Sequence, residues 1–149
     1  MTWDYVAGFV DGEGSIVKRR KTYNIYVSQT NKEVLERICK FTGRGYVYPL
    51  TKRKDHWKNA WLYSAGRNKD THYILSHIAD KLIVKRELAS QVLREIKVWS
   101  IETKKREMLK IVRIKKARAF RRVGWSYRKI GEKLGIDWGY ARRLILFSK

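Results

Sequence analysis

Residues 6–14, Val-Ala-Gly-Phe-Val-Asp-Gly-Glu-Gly, constrain this chain more than any other stretch. Residues 3–14 read as one short helix that ends in glycines. Ala7 and Gly8 are small enough to let a second helix approach closely, and Val6, Phe9 and Val10 would fill the space around that contact. The helix then ends in two carboxylates, Asp11 and Glu13, with Gly12 between them and Gly14 after. The plain alternative is an ordinary helix terminus followed by a glycine turn.

Charge narrows the choice of partner. Lys and Arg number 35 against 14 Asp and Glu, a net charge of +21. That excess fits a polyanion, because each cation near a phosphate releases condensed counterions. The hydrophobic fraction of 44% is enough for a core. No stretch approaches a membrane span, and the start, Thr2-Trp3-Asp4-Tyr5, lacks the layout of a signal peptide. The single cysteine, Cys39, excludes an internal disulfide and a multi-cysteine zinc site, and fits a small core residue. The expectation is a soluble intracellular protein (cytoplasm or organelle matrix) whose partner is nucleic acid, with no membrane and no small-molecule substrate.

The spacing predicts strands at 15–20 and 23–28, with Lys21-Thr22 between them. In the second strand Ile25 and Val27 alternate with Asn24, Tyr26 and Ser28, a period that buries one face and exposes the other. A helix over 31–42 follows, with Asn31 as N-cap and Gly43 as its stop. Strands near 45–51 and 58–65 flank a basic loop at 52–56, and Pro49 suggests an edge position. Helices near 71–82 and 85–98 complete a unit of the α+β class with antiparallel pairs. After about residue 100 the composition shifts: residues 104–149 hold 16 Lys and Arg against 3 acids. A helix is expected at 104–123, closed by Gly124, then two shorter helices. The expected domains are 1–100 and 101–149.

The VAGFVDGEG segment resembles the LAGLIDADG motif of homing endonucleases. The resemblance covers roughly residues 3–98, most closely the single-motif enzymes that work as homodimers. It implies an αββαββα fold with a saddle-shaped antiparallel sheet, and phosphodiester hydrolysis in both strands of a long pseudo-palindromic DNA site. It implies Mg²⁺ (or Mn²⁺), held by Glu13 with the carbonyl of Gly12. It places Ala7, Gly8, Phe9 and Asp11 at the subunit interface, with Asp11 mostly structural and capping the helix end. Gln29, at the end of the second strand, matches the place of a polar residue near the attacking water. Lys85 matches a lysine that starts a helix and lies in the catalytic pocket, where it would offset developing negative charge. Gly43-Arg44-Gly45-Tyr46-Val47 resembles the turn into the third strand.

Four antiparallel strands would present one face to a major groove, whose base edges carry a distinct code. Alternation assigns Arg19, Lys21, Asn24, Tyr26, Ser28, Tyr48 and Lys52 to that face, and leaves the buried side of the fourth strand open. The tail, residues 125–145, resembles a helix-turn-helix of the resolvase or sigma-factor kind, giving a small all-α C-terminal domain. Ser126 and Asp137 are good N-caps, Gly135 supplies the turn, and Ile130, Leu134, Ile136, Ala141 and Leu144 have core spacing. Its second helix would offer Trp138, Tyr140, Arg142 and Arg143 to a groove. A tail that serves as a dimerisation bundle is the structural alternative. The rival for the whole chain is a non-cleaving DNA-binding regulator or intron-splicing maturase of the same fold. A general chromatin or RNA-binding protein rests on charge alone.

Overall fold

A computed structural model describes residues 1–52 and 56–147. The chain divides into two compact units, Met1–Trp99 and Ser100–Lys149. The first holds α1 (Trp3–Glu13), β1 (Gly14–Arg19), β2 (Thr22–Gln29), α2 (Lys32–Thr42), β3 (Tyr46–Pro49), β4 (Trp61–Ala65), α3 (Asn68–Ile78) and the start of α4 (Arg86–Arg122). The second holds the rest of α4 with α5 (Tyr127–Leu134) and α6 (Trp138–Leu146). No helix among the described residues is long and apolar enough to cross a membrane.

Local chemistry sets the boundaries. Thr2 caps α1 by accepting from the Tyr5 amide, and Asn31 caps α2 by accepting from the Val34 amide. α2 stops at Gly43, whose φ of 61° is a left-handed cap that a side chain would strain. The four strands form one antiparallel sheet in the order β1-β2-β4-β3. β3 is therefore an edge, and Pro49 at its end removes no interior ladder donor.

Paired residues share a face. Val27 pairs with Tyr63 and Ile25 with Ala65, and all four are buried against the helices. With Val6, Val10, Leu35, Ile38, Ile74, Leu75 and Ile78 they form the core of the first unit. Burying each such aliphatic side chain contributes about 1.5–3 kcal/mol. This settles the register of β4: Trp61, Tyr63 and Ala65 face the helices, and Leu62 and Ser64 face away. The Tyr63 hydroxyl donates to the Arg44 carbonyl at 2.9 Å and lies 3.3 Å from the Thr42 hydroxyl; burial pushes its pKa to about 12.

Three expectations are corrected. Residues 85–98 and 104–123 are not separate helices: α4 runs unbroken over 37 residues. Its sequence shifts in charge but contains no Gly or Pro, and Lys and Arg are good helix formers. α3 spans 68–78 rather than 71–82: the Asp70 and Thr71 amides already donate to the Arg67 carbonyl, and Asn68 anchors this first turn by accepting from the Tyr23 amide and donating to the Lys21 carbonyl. Lys21 lies in the β1–β2 turn beside Arg20 (φ 54°), not on a strand face. The basic loop expected at 52–56 falls partly outside the described residues.

Glu95 ties the first part of α4 to the sheet. Its carboxylate accepts from Lys18 at 2.7 Å, from the Tyr23 hydroxyl at 2.9 Å and from Gln91 at 3.0 Å. Lys18 first, then Gln91 and Tyr23, hold its pKa down to about 2, from an ordinary 4.5. A depressed folded-state pKa contributes stability that is complete above pH 4.5 and is lost as pH falls toward 2. Carboxyl NMR should place the Glu95 midpoint near 2, and Glu95→Gln should flatten the pH dependence of unfolding between those values. An ordinary midpoint would remove this attachment from the account.

Candidate active site and DNA-facing surface

The end of α1 is built from its two acids, which do different things. Asp11 turns its carboxylate onto the segment that precedes α4. Oδ2 accepts from the amides of Ile83 (2.7 Å) and Val84 (2.9 Å), and Oδ1 from the amide of Lys85 (2.8 Å). These N–H groups, foremost that of Val84, lower its pKa below the ordinary 3.8. Asp11, expected to cap the end of its own helix, thus holds the segment that leads into α4 instead. The backbone returns the contact: Lys85 Nζ donates to the Asp11 carbonyl.

Lys85 is therefore brought to the last turn of α1, one residue before Gly12 and two before Glu13. Glu13 is exposed, and among the described residues no hydrogen bond or ion pair engages its carboxylate. Gly12 is exposed too, and its carbonyl belongs to the last turn, where a helix leaves acceptors without partners. The register sets Gly14 opposite Val27, so the strand end that carries Gln29 lies beside the end of α1. The Gln29 side chain accepts from the Thr30 amide at 2.9 Å. By strand parity it shares the helix-bearing face with Val27, apart from the residues expected to face DNA.

The interface residues divide. Ala7 is 1% exposed in the chain's own core, so it does not face a partner. Gly8 is exposed, Phe9 half-buried and stacked on Tyr5 at 5.8 Å. Tyr5, Gly8 and Gly12 share the outer side of α1 by helical spacing. A Cβ at Gly8 or Gly12 would meet nothing within 4 Å, so nothing in the chain itself requires glycine there. A groove lined by Met1, Tyr5, Val34, Arg37 and Phe41 adjoins this face.

The sheet face away from the helices carries Arg19, Tyr26, Ser28 and Tyr48 from the expected set. Arg19 lies over the Tyr26 ring at 5.5 Å. Asn24 is on this face but only 9% exposed. Its amide accepts from the Tyr26 hydroxyl (2.6 Å) and donates to the carbonyls of Tyr23 and Gly66 (3.2 Å each), so it braces Tyr26 and is not free for a ligand. Lys52 is exposed beyond the end of β3. Tyr46, 62% exposed and paired with Ser64, belongs to the same face and was missed. Its alternation with Tyr48 was the available signal. In the tail, Trp138, Arg142 and Arg143 are exposed and Tyr140 is half-buried.

Compared with known proteins, the chain matches the LAGLIDADG-like domain family over residues 4–97. The chain belongs to the LAGLIDADG-like family. Similar solved structures are homing endonucleases. One is I-CvuI with the I-CreI target, uncleaved in the presence of Mg: 27% identity, 64% of this chain and 65% of that chain, TM-score 0.50. The match thus spans just under two thirds of that relative's length. I-CvuI with its own target and Ca shares 22% identity over 96% of this chain and 91% of that one, TM-score 0.54. The archaeal intron-encoded I-Vdi141I complexed with DNA shares 19% over 96% and 93%, TM-score 0.51. The latter two show the fold. No curated protein matches the chain.

The clamp on residues 83–85 gives a direct expectation. Asp11→Ala should speed amide exchange at Ile83, Val84 and Lys85 by about tenfold or more, leaving core amides such as Ile25 and Leu35 unchanged. Because the Asp11 pKa is lowered, the wild-type protection should persist from neutral pH to below 3.8 and vanish as the folded-state pKa is crossed. Equal exchange in both proteins would show that these bonds do not hold the segment.

Proposed function

We propose that the chain is a site-specific homing endonuclease that hydrolyses both strands of a pseudo-palindromic duplex as a homodimer. The observation that carries this is the unengaged Glu13 carboxylate at the end of the family's motif helix, beside a lysine fixed to the preceding carbonyl. A transferring phosphoryl group gathers negative charge. An accessible acid next to a held cation suits that chemistry, whereas an acid already paired does not.

The donor set fits a hard divalent cation, Mg²⁺ or Mn²⁺, which takes carboxylate, carbonyl and water oxygens. Glu13 and the Gly12 carbonyl would hold it. When bound, it supplies charge neutralisation and a lowered pKa for water. Among the described residues no three His, Cys, Asp or Glu gather, so one chain provides only part of such a site. Phosphate oxygens, water and a second copy of the chain complete it in this reading. Gln29 orients the attacking water, and Lys85 offsets charge on the phosphate. Arg19, Tyr26, Ser28, Tyr46 and Tyr48 meet the DNA, with Asn24 bracing Tyr26 from behind.

The two glycines support a dimer. Glycine within a helix costs about 1 kcal/mol relative to alanine. Gly8 and Gly12 have open space around the Cβ position, so the chain gains nothing from them alone. A second α1 lying across them would need that space. A C₂ pair then sets one Glu13 at each DNA strand. In this reading Gly8, Gly12, Tyr5 and Phe9 make the contact, and Ala7 supports it from the core.

Two experiments test the proposal. With Mg²⁺ and a library of random duplexes, wild type should cut, and Glu13→Gln should lower cleavage about 10²- to 10³-fold or more while still binding the selected site. Tight binding by wild type with no cleavage in either metal would favour the regulator or maturase alternative. Gly8→Leu should leave the far-UV spectrum intact and shift sedimentation from dimer to monomer. An unchanged dimer would move the interface elsewhere.

A further inference from the structure

Arg67 stands where helix chemistry does not favour an arginine. It joins β4 to α3 at the N-cap position, and its carbonyl accepts from the amides of Asp70 (2.8 Å) and Thr71 (2.9 Å), which starts the helix. Ser, Thr, Asp or Asn suits this place, because a side-chain oxygen there accepts from a first-turn amide. An arginine has only donors, and no side-chain cap is made here. Its cation also opposes the positive end of the helix dipole. What the side chain does instead is bond to Asp70. That residue lies in the first turn of α3 and is only 2% exposed. The Arg67 Nε donates to Asp70 Oδ2 at 2.7 Å, and Asp70 Oδ1 lies 3.5 Å from Arg44 Nη1, so the buried carboxylate has a cation on each oxygen.

The Arg67 side chain is itself 77% exposed, yet its orientation is set from below. Among the described residues no bond, ion pair or ring contact engages Nη1 or Nη2. Held at Nε, the planar group presents these two nitrogens as one pair of donors in a fixed plane. Its neighbours are residues of the sheet face that points away from the helices. Ser64, three residues earlier, pairs with Tyr46, which is 62% exposed on that face. The bond to Asp70 raises the Arg67 pKa above its ordinary value, with a smaller contribution from the nearby Tyr46 phenol. The Gly66 carbonyl accepts from the Asn24 amide at 3.2 Å, and the oxygen of that same amide holds the Tyr26 hydroxyl at 2.6 Å. The backbone that carries Arg67 is thus tied to the residues beneath Tyr26. In a chain of net charge +21 a further phosphate contact needs no such support, since phosphate accepts from many directions and an unheld lysine serves. A donor pair in a fixed plane suits two acceptors that are themselves coplanar.

We infer that Arg67 is a specificity-determining residue that reads a guanine in the major groove through Nη1 and Nη2, and that Asp70 is the residue that positions it. Guanine offers O6 and N7 there as two coplanar acceptors, and a bidentate arginine matches them. Asp70 orders the guanidinium when the chain folds, so less side-chain entropy is lost on binding. The inference deepens the proposed function and rests on duplex DNA meeting this face of the sheet, but not on cleavage. Strand alternation had no means of finding Arg67, which lies beyond the last residue of β4.

The test is selection from a random duplex library by the full-length chain, without divalent metal so that binding alone is read, with thermal unfolding followed beside it. Wild type should enrich a consensus that includes a guanine. Arg67→Ala and Arg67→Lys should each lose the preference at that guanine, keep the rest of the consensus and bind the wild-type site about 10- to 100-fold more weakly. Asp70→Asn should relax the same position and no other, and adding it to Arg67→Ala should weaken binding no further. Arg67→Ala leaves Asp70 with Arg44 alone, so its thermal transition should fall; Arg67→Lys keeps a cation beside Asp70 and carries the test if the alanine variant does not fold. An unchanged consensus and affinity in both Arg67 variants would overturn the inference, and with a lowered transition would make the pair a structural one. Equal weakening on all sequences, or full retention of the guanine by Arg67→Lys, would overturn it in favour of a phosphate contact. Asp70→Asn loosening every position alike would overturn the positioning role. A consensus indifferent to Arg67 defeats this inference alone and spares the nuclease reading; a wild type that enriches no consensus defeats both.

Discussion

The Asp11 carboxylate collects three amides from a segment more than seventy residues further along the chain. That contact has two consequences for the site. It supplies acceptors for three amides of the segment that leads into α4, so the entry to the long helix is fixed. It also ties the chain on both sides of one acid: the side chain of Asp11 fixes the backbone of Lys85, and the side chain of Lys85 fixes the backbone of Asp11. A lysine on a free four-carbon stem samples many rotamers, and holding it in one costs entropy. Here that ordering is completed on folding. The exposed Ile83 and Val84 side chains, 84% and 80%, are a by-product: their backbone is committed inward to Asp11.

The sheet shows the same economy on a larger scale. One face is sealed by four helices through Ile25, Val27, Tyr63 and Ala65. The other carries tyrosines, serines and Arg19, with Thr22, Asn24 and two apolar residues, Val17 and Leu62, among them. An antiparallel sheet commonly leaves one face to solvent. The tyrosines of this face are amphipathic, with rings and hydroxyls able to meet a hydrated surface, and Arg19 is laid over Tyr26. In a chain of net charge +21, an uncovered polar face attracts phosphate from any direction. Beneath that face the buried amide of Asn24 holds the Tyr26 hydroxyl still.

How much of this was legible depended on whether a residue's fate is decided locally. Caps and stops were: Asn31, Gly43, Ser126, Gly135 and Asp137 act within four residues of themselves. Strand alternation found Arg19, Tyr26, Ser28 and Tyr48, because period 2 is a property of the strand alone. It failed at Asn24, since parity reports the face and not what else packs on it. Ala7 failed for a related reason: small size is compatible with a helix contact outside the chain or within it, and 1% exposure selects the second. Charge misled at residue 100, where a change of composition was read as a helix end although no residue there breaks a helix. The contact between Asp11 and residues 83–85 left no pattern in the sequence, because an acid and three amides carry no periodicity.

The two acids of the motif show why their spacing matters more than their identity. Residues two apart on a helix point to different sides. Asp11 therefore faces the chain's own α4 while Glu13 stands clear of it. With the two a turn apart, both would face the same partner and one would be redundant. Gly12 between them leaves the last turn without a side chain, so its carbonyl stays accessible beside Glu13. Gly14 ends the helix where any Cβ would strike the Val10 carbonyl oxygen at 2.6 Å, and the chain passes directly into β1. The outcome is one carboxylate, one carbonyl and one lysine at a single helix end. The same helix carries Gly8 and Gly12 on its outer side, with open space where a Cβ would stand.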